Sequence, residues 1–177
     1  IYEKGTDRLL ACLPGRTGVL NVPQGTTAIG KGAFTYCYLL ERVMLPPSVT
    51  AIEDSAFAIS SIQSVLLPPN LESIGKNAFN NCISLTSVVI PEGAAVGEGA
   101  FRFCVGLRTV YAPGSGTMGD PSTFAYQSPG LVVYAPEGSD AYMAAITQGC
   151  PSADIGRTPQ KLHTPNHTHP QVPMVDQ

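Results

Sequence analysis

The chain has 177 residues, enough for one domain of ordinary size or a core with a tail. It is 44% hydrophobic and 13% charged, which excludes a disordered polyampholyte, and its formal net charge of -3 gives no pull toward phosphate backbones. All three histidines fall in the tail, at 163, 167 and 169, so the body lacks the commonest general base, and no apolar run approaches the roughly 18 residues of a bilayer span. The chain opens at Ile1 without Met and without a signal-peptide pattern, as a processed or excised segment does.

In chain order, residues 1–18 read as an N-terminal cap, a short hairpin from Tyr2 to Leu13 broken at Gly5-Thr6-Asp7 and closed by a Pro14-Gly15 turn. A repeat then occupies residues 19–136 in about six units. Ala-Phe recurs at Ala33-Phe34, Ala56-Phe57, Ala78-Phe79 and Ala100-Phe101, with Thr123-Phe124 as an altered copy, so the phenylalanines step by 23, 22, 22 and 23 residues. Each is followed by a short alternating segment that stops at proline, such as Val43-Met44-Leu45-Pro46 or Val88-Val89-Ile90-Pro91. Val19-Leu20-Asn21-Val22-Pro23 is an earlier, incomplete copy.

The alternating pieces read as short strands, and proline ends each because it has no N–H to donate. The chain returns through a second apolar line in which Ile29, Ile52, Ile74 and Val96 share one slot and the Ala-Phe pair the next. One unit cannot bury its own Leu, Val, Ile and Phe, but stacked units cover one another. The fold expected is a repeat solenoid, mostly β, with a parallel sheet on one face and irregular return segments on the other, six rungs making roughly 25–30 Å.

Beyond the array, residues 137–155 read as a C-terminal cap. Ser139 is the N-cap of a short helix, Tyr142 and Ile146 share one face, and Gly149 stops it. Residues 156–177 are polar and proline-rich, a tail or linker.

The pattern Ile-Gly-x-x-Ala-Phe-x-x-Cys-x-x-Leu-x-x-Val-x-Ile-Pro, complete from Ile74 to Pro91, resembles the Treponema pallidum-type, or BspA-like, leucine-rich repeat. The second copy departs from it with Ile59 read in the Cys slot, and the fifth with Gln127. The resemblance implies a right-handed leucine-rich repeat of β/α type. It also implies a bacterial cell-surface or secreted protein that binds proteins or host components, has adhesive relatives, and carries no catalytic residues.

Several groups carry chemistry in principle. Cys37, Cys82 and Cys104 share a repeat slot and read as small buried hydrophobes. Parallel stacking disfavours a Cys82–Cys104 disulfide, so all five cysteines are expected free, with Cys12 and Cys150 at most engaged between molecules. Without a His base, none reads as a nucleophile. His163, His167 and His169 are weak candidates for a metal, without the supporting groups a physiological site needs, and Asn166-His167-Thr168 is formally a glycosylation sequon. Glu53, Asp54, Glu92 and Glu98 read as solvated loop charges, and no cofactor is expected.

The outward strand positions are more informative. Alternation puts Asn21, Met44, Leu66, Val89, Tyr111 and Tyr134 in one outward column, and Val19, Arg42, Ser64, Ser87, Thr109 and Val132 in a parallel one. A line of large apolar side chains on a solvent-facing sheet marks a binding surface. The expected site residues are therefore Arg42, Met44, Leu66, Val89, Tyr111 and Tyr134, facing a protein or peptide partner, with a host or matrix component as one candidate and nucleic acid excluded. The alternative is a structural spacer within a longer surface protein.

Overall fold

A computed structural model describes residues 1–2, 7–13, 15–114 and 116–155. The histidine candidates, the sequon, the tail and the expected hairpin turn lie outside the described residues. In chain order the strands are β1 (Arg8–Leu9), β2 (Gly18–Asn21), β3 (Ala28–Ile29), β4 (Leu40–Met44), β5 (Ala51–Ile52) and β6 (Ser64–Leu66). They continue as β7 (Ser73–Ile74), β8 (Ser87–Val89), β9 (Ala95–Val96), β10 (Thr109–Tyr111), β11 (Val132–Ala135) and, after the helix α1 (Asp140–Thr147), β12 (Ser152–Asp154).

The chain is a solenoid of two parallel sheets. The larger has seven strands in the order β12-β11-β10-β8-β6-β4-β2. Its register pairs Val43 with Val65, Val88 with Val110 and Val110 with Val133, one valine per rung, all buried. The return segments are more ordered than expected, since their two-residue strands form a second sheet, β1-β3-β5-β7-β9. Leu9, Ile29, Ile52, Ile74 and Val96 line its inner side.

Between the sheets, Phe34, Phe57, Phe79, Phe101 and Phe124 are fully buried and form one stack. Their ring centroids are 4.6, 4.9, 5.2 and 6.2 Å apart along the array, with planes 2, 4, 4 and 16° from parallel. These are offset stacks, the arrangement that ring quadrupoles favour. The last step is the widest and most tilted, where Thr123 replaces the repeat's alanine.

Each Ala-Phe turn is tied to the next by backbone bonds of one sense. The N–H groups of Ser55, Phe57 and Ile59 donate to the carbonyls of Lys76, Ala78 and Asn80 at 2.9, 2.7 and 2.8 Å. Those of Asn77, Phe79 and Asn81 donate in turn to Glu98, Ala100 and Arg102 at 2.9, 2.7 and 2.8 Å. The turns hold residues at positive φ two places before the first four phenylalanines, at Gly32, Ser55, Asn77 and Gly99, and two places after all five, at Tyr36, Ile59, Asn81, Phe103 and Tyr126.

The Cys slot lies three residues after each phenylalanine, which corrects the second copy: Ser60, not Ile59, occupies it. Ser60 is buried, and its Oγ lies 3.4 Å from Cys82 Sγ, whereas Ile59 is the left-handed residue before it. From Ser60 to Ile62 this copy is one residue shorter than from Cys37 to Leu40 on the rung before, so the missing residue falls after the slot.

At the C-terminal end Ser139 caps α1, its Oγ accepting from the Tyr142 N–H at 3.3 Å. The buried face is Ala141, Ala144 and Ala145, while Ile146 is exposed and Tyr142 is only partly covered, so the expected Tyr142/Ile146 face is corrected. Small side chains let the helix backbone lie close on the last rung. At the other end the Ile1 ammonium donates to the Ala11 carbonyl at 2.8 Å, and Tyr2 bridges Leu9 in antiparallel fashion.

Candidate functional site

The outer surface of the large sheet is built by the β alternation that buries the valines. Register pairs Asn21 with Met44, Met44 with Leu66, Val89 with Tyr111 and Tyr111 with Tyr134. It likewise pairs Val19 with Arg42, Arg42 with Ser64, Ser64 with Ser87, Ser87 with Thr109 and Thr109 with Val132. Both columns thus run as the sequence places them.

Exposure along the apolar column is uneven. Leu66 is 61% and Val89 56% exposed, Met44 and Tyr134 are 37% and 36%, and Tyr111 is half-buried. The middle of the sheet, between β6 and β8, is therefore its most open hydrophobic part. Beside it Arg42 Nε donates to Ser64 Oγ at 3.0 Å, which fixes the guanidinium on the face.

A second exposed apolar row went unread in the sequence. It follows the left-handed positions of the turns, with Tyr36, Phe103 and Tyr126 exposed on it. Phe103 and Tyr126 stack at 4.6 Å, and the Arg102 guanidinium lies over both rings at 5.2 and 5.0 Å. The available signal is position, two residues past each phenylalanine; residue type gives none, because Tyr, Ile and Phe do not announce positive φ as Gly or Asn does.

The buried slot sets thiols against backbone carbonyls. Cys82 Sγ donates to the Phe57 carbonyl and Cys104 Sγ to the Phe79 carbonyl, each at 3.0 Å. Burial raises the Cys104 thiol well above its ordinary value, which keeps it protonated. All five cysteines are unbridged. Gln127 continues the slot by a different chemistry, its Nε2 donating to the Phe101 carbonyl.

Three of the four loop carboxylates, Glu53, Asp54 and Glu98, are engaged rather than merely solvated. Glu53 binds the Arg8 guanidinium through both oxygens and accepts from the Lys31 N–H, and Asp54 accepts from the Lys76 N–H at 2.8 Å. Lys76 Nζ reaches Glu98 at 2.6 Å. The Arg8 hydrogen bonds come first among the causes that hold Glu53 below the usual carboxylate range. Among the described residues no cluster of His, Cys, Asp and Glu is arranged to hold a metal, and no helix is long and apolar enough to cross a membrane.

No curated protein sequence matches the chain. Two of the solved structures that resemble the chain show its fold over most of its length. A leucine rich cell surface protein from Faecalibacterium prausnitzii is 24% identical, with a TM-score of 0.60 over 83% of this chain and 34% of that one. The pneumococcal vaccine antigen PcpA is 15% identical, with a TM-score of 0.65 over 88% of this chain and 44% of that one. The chain thus spans about a third of the first and less than half of the second. The BspA type leucine rich repeat region matches residues 17–129 in six copies. With well over half of its residues inside that match, and five buried phenylalanines stacked along the array, the chain belongs to the BspA-type leucine-rich repeat family.

Proposed function

We propose that this chain is a non-catalytic interaction module of a cell-surface or secreted protein, binding an extended protein or peptide segment across the outer face of its large sheet. The observation that carries the reading is the column Met44, Leu66, Val89, Tyr111 and Tyr134, apolar or aromatic on five successive rungs and most exposed at Leu66 and Val89. Soluble domains keep such patches for contacts, and tyrosine supplies both apolar area and a hydroxyl to a partner. Arg42, held by Ser64, supplies a charged edge. A surface location is supported by the family and by the likeness to a leucine rich cell surface protein of Faecalibacterium. A host or matrix protein is the partner class that this location favours.

A spacer role is the second reading, favoured by the small share of its structural relatives that the chain spans. One double variant separates the two. Val89→Ser with Tyr111→Ser removes the centre of the column, where fully desolvated anchors dominate an interface. A photo-crosslinker placed at Ser87 captures the partner from matrix or host-cell extract, and capture is compared between the parent and the double variant. Loss of capture with a melting midpoint within a few degrees supports the module; equal capture by both refutes it and leaves the spacer.

A further inference from the structure

The first full rung differs from its successors where it meets the N-terminal segment. In later rungs the slot sulfur lies against the phenylalanine residue of the rung before, as Cys82 Sγ does at the Phe57 carbonyl and Cys104 Sγ at the Phe79 carbonyl. Before Cys37, the phenylalanine place is held by Cys12. Its N–H donates to the Ala33 carbonyl at 2.6 Å, just as the Phe34 N–H donates to Ala56 at 2.6 Å and the Phe57 N–H to Ala78 at 2.7 Å. The rule that sets a slot thiol against the carbonyl of the preceding phenylalanine therefore sets Cys37 beside Cys12, which is also among the groups that raise the Cys37 thiol, while Cys12 Sγ itself donates to the Leu13 carbonyl at 3.7 Å.

Access differs between the two sulfurs. Cys37 is sealed in the core, whereas Cys12 is only partly covered and lines an open cleft with Ile1, Tyr2, Leu9 and Leu20. Cys82 and Cys104 are also neighbours, yet both are fully buried, occupy the same slot one rung apart, and aim at carbonyls of the core. A reagent reaches Cys12 of the first pair and neither sulfur of the second.

We propose that Cys12 and Cys37 form a disulfide under oxidising conditions, bonding the N-terminal segment covalently to the first full rung of the array. The co-reactant is a small disulfide such as oxidised glutathione. The Cys12 thiolate attacks one of its sulfurs, the glutathione S–S bond breaks, and one glutathione thiolate leaves. Cys37, after losing its proton to solvent, attacks the Cys12 sulfur of the mixed disulfide, and the second glutathione thiolate leaves. Two protein thiols are oxidised and one glutathione disulfide is reduced to two thiols, so electrons and protons balance. Burial, with Cys12 beside it, pushes the Cys37 thiol up to about 12, which makes the closing step slow at neutral pH and faster as pH rises.

The test uses the whole chain. It is incubated with oxidised glutathione at mildly alkaline pH, its remaining thiols are alkylated, and it is digested without reduction for mass spectrometry. The expected result is a peptide pair joining Cys12 to Cys37, with Cys82 and Cys104 alkylated only after unfolding. The melting midpoint rises by roughly 5 °C, reductant reverses the rise, and a Cys12→Ser variant shows neither link nor rise. Cys12 stopping at the glutathione mixed disulfide with Cys37 still alkylated, or a link between Cys82 and Cys104 instead, overturns the proposal. Because the parent chain carries the decisive measurement, the outcome does not depend on how a variant folds.

Discussion

The Gln127 side-chain amide donates to the Phe101 carbonyl, the bond that Cys104 Sγ makes to Phe79 one rung earlier. The slot therefore selects a buried donor rather than a thiol as such, and Cys and Gln both satisfy it. Gln127 brings a cost of its own, since its Oε1 is buried without a hydrogen-bond partner.

Replacing Gln127 separates these effects. Gln127→Leu removes the donor from a carbonyl that keeps only a 3.4 Å bond from the Cys104 N–H, and should destabilise by about 1 kcal/mol. Gln127→Cys restores a donor and removes the unpartnered oxygen, so it should be neutral or stabilising. Urea unfolding of the two variants beside the parent checks the order.

Phe79 sits in the middle of the ring stack, with Phe57 at 4.9 Å on one side and Phe101 at 5.2 Å on the other. Phe79→Ala leaves a void that both neighbouring rings border, at a cost of about 3–5 kcal/mol. The same change at Phe124, where the stack is already widest, should cost less than at Phe79 by equilibrium unfolding.

Ile59 is a β-branched residue held at φ 57°, a conformation that disfavours a Cβ branch. Asn81 fills the equivalent position one rung later with a residue suited to it. Ile59→Asn should raise stability by about 1 kcal/mol, read as a higher melting midpoint. A drop would mean that the packing of the isoleucine outweighs its backbone strain.

The Arg8–Glu53 pair ties β1 to the loop after β5 and makes the N-terminal end pH-sensitive. Glu53 is held below its ordinary value, so it releases its proton more readily folded than unfolded. Its contribution is fully present above the unfolded carboxylate value near 4.3 and is lost as pH falls through the lower folded one. The groups are about a third exposed, so the effect is under about 1 kcal/mol. Melting curves of the parent and Glu53→Gln should differ at pH 7 and converge toward pH 3.

The rungs were legible because burial on each repeats the same demand: Val43, Val65, Val88 and Val110 inward, Met44, Leu66 and Val89 outward, and a phenylalanine between the sheets. Other features depend on backbone torsion or on the ends of the array. Ile59 and Ser60 are indistinguishable by pattern when a residue is missing nearby, and only the left-handed turn decides which one points inward. Cys12 looks like an isolated cysteine because the first copy is incomplete, and its place beside Cys37 emerges only from the Ala33 carbonyl bond. The α1 face follows the narrow space over the last rung, which selects Ala144 and Ala145 over the larger Tyr142 and Ile146.

The one-way bonding of the Ala-Phe turns gives the array a direction. Every turn offers donors forward and acceptors backward, so a further unit fits only in the same orientation; an inverted one would face donor to donor. Loss or gain of a whole unit of 22 or 23 residues preserves that match, the ring stack and both outer columns together. Length can therefore change in evolution by tandem duplication without redesign of any interior contact, while the reach of the apolar column grows by one side chain per copy.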